Sequence, residues 1–137
     1  GCWLGLKDTR QIISVIGDGS FLMNIQEMQF LKHHKNNIKI IIVDNETLGN
    51  TKLGSADLFG RTHGNDAKHG YYPPDIKKLV NSYDINYLNL KKNEDIKKTL
   101  KAFLKMKGTT VLHVKVSSNH NVVDHTKKDL QSSFKMN

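Results

Sequence analysis

One cysteine, Cys2, and two prolines, Pro73 and Pro74, occur in a chain of 137 residues. A lone cysteine excludes an intrachain disulfide framework and a cysteine-ligated zinc site, and it is compatible with a reducing compartment. Arginine occurs only at Arg10 and Arg61, and aromatic residues make up 7% of the chain. Nucleic-acid recognition leans on guanidinium forks and aromatic stacking platforms. A formal charge of +8 carried almost entirely by lysine therefore reads as a solvated basic surface rather than a polyanion-binding face. No apolar run approaches the roughly 20 residues of a membrane span, and no signal peptide is visible at the start. The expectation is a soluble, cytoplasmic protein with neither nucleic acid nor membrane as a partner.

Hydrophobic residues, 37% of the total, are enough for one domain with a modest core. Two apolar runs are short, β-branched and bounded by turn formers, so each reads as a buried strand. Ile12 to Ile16 leads into Gly17-Asp18-Gly19-Ser20, and Ile40 to Val43 ends in Asp44-Asn45. Between them, a helix beginning at about Asn24 would turn Ile25, Met28 and Leu31 towards the sheet. Glu46 to Tyr72 carries five glycines and little periodicity, and reads as a long functional loop. Pro73-Pro74-Asp75 starts a helix, a strand follows over 85–90, and Asn93 opens a second helix with Ile96, Leu100, Phe103 and Leu104 at helical spacing. Thr109 to Val116 is the last strand. Alternation of this kind predicts an α/β domain, three layers deep, around a mainly parallel sheet. It covers 1–117, with 118–137 as a polar extension. Residues 1–10 read as the end of a helix cut from a longer chain.

In open α/β sheets the carboxyl ends of the strands form the binding edge. Gly17 and Gly19 let backbone approach closely on either side of Asp18, and Ser20 adds a hydroxyl and an N–H. The N-terminus of the following helix favours an anion at the same place. A carboxylate facing phosphate oxygens requires a cation between them, and Mg2+ suits one or two protein side chains completed by phosphate. Asp18 and the Asn45 amide oxygen are the candidate side-chain ligands.

The run GDGSFLMNIQE over 17–27, followed by Asp44-Asn45, resembles the thiamine-diphosphate motif. More closely, the chain resembles the C-terminal, diphosphate-binding domain of the acetolactate synthase and 2-oxo-acid decarboxylase family. FGR at 59–61 and PPDIKKLVNSYDI at 73–85 extend the resemblance to about Val116. It implies that Asp18, Asn45 and the Thr47 backbone carbonyl hold Mg2+, that Gly19 and Ser20 hold diphosphate oxygens with Gly17 also at the cofactor, and that Leu48 and Gly49, followed by Asn50 and Thr51, pass near the thiazolium and substrate. Asp44 stands where the family usually has an asparagine.

The resemblance further implies a lyase or transferase acting on a 2-oxo acid by decarboxylation or carboligation. It places the activating glutamate on a pyrimidine-binding domain, usually of a partner subunit in a homo-oligomer, and it allows FAD in a domain outside this chain. No catalytic residue is assigned here, and the chain alone is expected to be inactive. A stand-alone module that holds a nucleotide or phosphorylated metabolite in the same cradle is the competing reading.

Other polar residues have plainer readings. His33 and His34 suit the end of a helix, His120 and His125 suit a solvated tail, and Trp3 suits packing on a helix end. In the long loop, His63, His69, Lys52 and Arg61 are candidates to meet a substrate carboxylate or phosphate.

Overall fold

The computed structural model describes Cys2, Gly5, residues 10–34 and residues 37–118. Trp3, His120, His125 and the tail from Asn119 lie outside these. Four strands form in the order their sequence predicts: β1 (Ile12–Gly17), β2 (Ile38–Asp44), β3 (Asn86–Leu90) and β4 (Thr110–Lys115). All pair in parallel, in the spatial order β1-β2-β4-β3. Gly17 is level with Val43, so the polar clusters after β1 and β2 emerge side by side at one edge.

Parallel sheets need both faces covered, and the alternating side chains divide the core accordingly. Ile40, Ile42 and Val111 meet Phe21, Met28, Ile76 and Val80 from helices α1 (Asp18–Met23), α2 (Glu27–His33) and α4 (Ile76–Ser82). On the opposite face Leu90 and Leu112, flanked by Ile41, Leu88 and Val114, meet Phe103 and Leu100 of α5 (Ile96–Lys105). The result is the expected three-layer α/β/α arrangement. Burial of a side chain such as Phe103 is worth about 1.5–3 kcal/mol. Ile96 and Leu104, expected on the same apolar stripe, remain 38% and 42% exposed. At the outer edge, Ile13 and Val15 of β1 are also exposed.

Two elements differ from their sequence patterns. The helix expected from about Asn24 is two helices, and the first starts at Asp18 itself. Asn24 caps α1, its N–H bonded to Phe21 O and its amide to Ser20 O, as expected of a side chain that competes for local backbone groups. The long loop contains α3 (Gly49–Phe59), ended by Gly60 with φ +64°, a conformation that favours glycine. Leu53, Leu58 and Phe59 are exposed and form no buried face, so periodicity could not reveal this helix.

The Pro-Asp helix start is as read. Asp75 caps α4, its carboxylate accepting the Lys78 N–H at 3.0 Å, a contact worth about 1 kcal/mol. Asn93 opens a single 3-10 turn that leads into α5. At the amino end of β2, Lys39 is fully buried and its ammonium donates to Met106 O (2.6 Å), Gly108 O (2.7 Å) and Thr110 Oγ1 (3.2 Å). These bonds tie the end of α5 to the start of β4. No helix among the described residues is long and apolar enough to cross a membrane.

Candidate functional site

The carboxyl ends of β1 and β2 frame a cavity of about 300 Å3. Gly17, Asp18, Gly19, Ser20, Asn45, Thr47, Leu48 and Gly49 all line it, together with Asn50 and Thr51. The structure thus brings together every cofactor and metal residue named from the sequence. Asp18 is buried at the start of α1, and Gly17 is that helix's N-cap. A Cβ on Gly19 would lie 2.3 Å from Leu48 Cδ2 and 3.5 Å from the Tyr71 hydroxyl, so a side chain here would displace the tip of Leu48 within the cavity.

The turn after β2 is held in an unusual shape. Glu46 has φ +54°, sparsely populated by a residue with a side chain. Its N–H donates to Asp44 Oδ1 at 3.0 Å, and the Thr47 N–H donates to Asn45 Oδ1 at 3.2 Å. The Asn45 oxygen retains a second lone pair for a cation. Locally strained backbone of this sort clusters at ligand sites, where surrounding bonds maintain it.

Behind the turn, three strands contribute a buried relay. The His113 ring on β4 meets Asp44 Oδ2 through Nε2 at 2.7 Å and the Tyr87 hydroxyl through Nδ1 at 2.7 Å. The tautomer protonated on Nε2 satisfies both contacts, with the hydroxyl donating to Nδ1. Lys115 pairs with Glu46 and lies 3.6 Å from Asp44. Burial pushes Asp44 up, but the bonds from His113 and the Glu46 amide and the Lys115 charge together hold its carboxyl below the usual range.

Asp18 is shifted the other way. Burial and then the neighbouring Asp44 carboxylate raise it, against the hydrogen bond donated by Tyr71 and weaker support from the Gly19 and Asp18 amides. Tyr71 Oη lies 3.1 Å from Asp18 Oδ2, and burial and the Asp18 charge raise the phenol so that it keeps its proton. A buried carboxylate raised by a second carboxylate is a site that a divalent cation would favour. Among the described residues no cluster of three His, Cys, Asp or Glu side chains could hold a metal by itself. A carboxylate, a carboxamide and a backbone carbonyl fit a cation whose remaining ligands come with a phosphorylated molecule.

The loop candidates go elsewhere. Lys52 bonds Asp66 at 2.9 Å and His69 pairs with the same carboxylate, so both serve a staple within the segment rather than the cavity. Arg61 and His63 line a separate hollow with Ser55 and Phe59. His33 and His34 are exposed at the end of α2, their rings edge-on at 5.0 Å. Tyr71, His113 and Asn65 carried no sequence signal, since their positions depend on contacts distant in the chain. Asn65 is fully buried with neither side-chain polar atom bonded, while its carbonyl accepts the Leu48 N–H at 2.8 Å.

Known proteins share this fold. The thiamine pyrophosphate enzyme family, C-terminal TPP binding domain, matches residues 1–114. The large subunit of acetolactate synthase isozyme 2 from Escherichia coli (strain K12) is 26% identical over 111 residues, covering 81% of this chain and 20% of the relative. The acetolactate synthase large subunit of Buchnera aphidicola subsp. Schizaphis graminum (strain Sg) is 34% identical over 96 residues, covering 69% and 16%. The chain therefore spans about a fifth of the length of these relatives.

Among solved structures, the thiamine diphosphate-dependent 4-hydroxybenzoylformate decarboxylase of Rhodococcus jostii RHA1 superposes with a TM-score of 0.73 at 28% identity, covering 84% of this chain and 21% of its own. Benzoylformate decarboxylase from Polynucleobacter necessarius, at 21% identity, shares the fold with a TM-score of 0.70 over 82% of this chain and 21% of its own. A thiamine-diphosphate motif on the carboxyl edge of a parallel sheet and a family match over 1–114 lead to one conclusion: this chain belongs to the thiamine pyrophosphate enzymes, as their C-terminal TPP-binding domain.

Proposed function

We propose that this domain binds thiamine diphosphate through Mg2+ held by Asp18, Asn45 and the Thr47 carbonyl, with Gly17, Gly19 and Ser20 against the diphosphate. The observation that carries this reading is the single cavity lined by all of these residues. When bound, the cofactor supplies the carbon centre at which a 2-oxo acid can lose its carboxylate. The protein's own part is placement. Leu48 fills the space above Gly19, and Gly49, Asn50 and Thr51 line the same cavity. Asp44, fixed by His113, keeps the turn that presents Asn45 and Thr47.

The names of the relatives support a 2-oxo acid as substrate, with acetolactate synthases favouring carboligation and benzoylformate decarboxylases favouring simple decarboxylation. Activity in our reading requires a pyrimidine-binding domain of the same or a partner subunit, within a homo-oligomer. Flavin dependence belongs with the acetolactate synthase alternative. The test is calorimetric titration of thiamine diphosphate into the full-length protein with and without Mg2+. Binding should need the metal and be lost in Asp18→Ala and Asn45→Ala, whereas a nucleotide displacing the cofactor would defeat this assignment. A panel of 2-oxo acids with aldehyde acceptors then separates decarboxylation from carboligation.

A further inference from the structure

A carboxylate offers about four lone-pair positions, and Mg2+ tolerates little departure from octahedral geometry. A ligand carboxylate free to rotate would serve this ion poorly. Asp18 Oδ2 accepts a hydrogen bond from the Tyr71 hydroxyl at 3.1 Å, from a residue 53 positions later in the chain.

The segment carrying Tyr71 is itself stapled to the other half of the site. Thr47 and Asp66 form an antiparallel bridge, and the Leu48 N–H bonds Asn65 O at 2.8 Å. The Asp66 carboxylate takes Lys52 Nζ from α3 at 2.9 Å and the His69 N–H at 3.1 Å. The Asp66 carbonyl then accepts the Tyr71 N–H at 2.9 Å. An unbroken run of contacts thus connects the turn bearing Asn45 and Thr47 to the hydroxyl that meets Asp18. The same hydroxyl lies beside the space left open by Gly19.

We infer that Tyr71 is a positioning residue for the metal, its hydroxyl fixing the Asp18 carboxylate relative to Asn45 and Thr47 so that the three donors meet one small cation. This rests on the cofactor reading above, and it concerns a residue outside the ligand set. Outer hydrogen-bond partners of metal ligands are commonly worth 10–100-fold in affinity. They matter most for an ion with strict geometry, and Ca2+, with flexible coordination, is the natural contrast.

The experiment compares the full-length protein with its Tyr71→Phe variant, which keeps the aromatic ring and removes the hydroxyl. Mg2+ and Ca2+ are titrated calorimetrically at saturating thiamine diphosphate, and melting is followed without metal. The expected result is a loss of about tenfold in Mg2+ affinity, less than about threefold for Ca2+, and an unchanged melting temperature. Unchanged or tighter Mg2+ binding overturns the inference, as does an equal fall for both ions accompanied by a lower melting temperature. An Asp18→Asn control separates the two levels: wild-type Mg2+-dependent binding in that variant defeats the cofactor reading itself. Loss there with Tyr71→Phe unaffected defeats only the role of Tyr71.

Discussion

Asp44 and His113, sixty-nine residues apart in sequence, form a buried pair at 2.7 Å directly behind the turn that carries Asn45. Tyr87 completes the relay from the far side of the ring. Removing the ring leaves a buried carboxylate short of a donor, whereas removing the phenol hydroxyl leaves only one nitrogen of an imidazole unpaired. His113→Leu should therefore destabilise the domain by about 2–3 kcal/mol and Tyr87→Phe by about 1 kcal/mol in urea denaturation. Equal costs for the two variants would contradict this order.

Gly19 allows stability and binding to be separated. In Gly19→Ala the new methyl meets the end of the Leu48 side chain, which can move, while alanine gains about 0.5–1 kcal/mol of helix propensity. The melting temperature should hold or rise, yet thiamine diphosphate should bind about tenfold more weakly because Leu48 is pushed into the cavity, a loss of about 1.4 kcal/mol. A second substitution, Leu48→Ala, should restore part of the affinity in the same titration.

Lys39 lies at the other end of the sheet and has the opposite profile. Lys39→Met removes an ammonium that satisfies two carbonyls and a hydroxyl, so about 2–4 kcal/mol of stability should disappear from the urea midpoint. Cofactor affinity in the folded fraction should be unchanged.

Acid should release the staple at Asp66. The bond from Lys52, opposed by burial and reinforced by His69, lowers this carboxyl to about 2 from 3.8. A depressed carboxylate contributes stability that is present above its unfolded value and lost as pH falls through its folded one. Relative to their intrinsic exchange at each pH, the amides over 64–71 should keep their protection above pH 3.8 and lose it as pH drops towards about 2. In Asp66→Asn the same amides should be weakly protected throughout.

Legibility followed the range of the interaction. β2 and β4 were readable because burial on a parallel sheet demands short β-branched runs, and α4 because Pro-Pro-Asp announces its start. β1 was readable from the same β-branched pattern and its turn formers, although it lies exposed at the sheet edge rather than buried. The cradle was readable because glycines, a carboxylate and a carboxamide at strand ends have few other uses. α3 was hidden by two internal glycines and by a surface with no buried stripe. Lys52 and His69 read in sequence as available for substrate, but Asp66 lies between them and engages both. Tyr71 carries no local signal, since its partner is defined by the folded path of the segment before it.

One half of the site hangs on a strand that is exposed among the described residues. β1 ends in Gly17 and leads directly into Asp18, yet in the described sheet it is an outer strand with Ile13 and Val15 exposed. Opening of the domain should begin there, and any molecule that bridges Asp18 to Asn45 fastens β1 to β2. At a hundred times its dissociation constant such a ligand adds about 2.7 kcal/mol to the folded state. The cofactor is in this sense a clasp for the sheet, and the first sign of its departure should be loosening of β1.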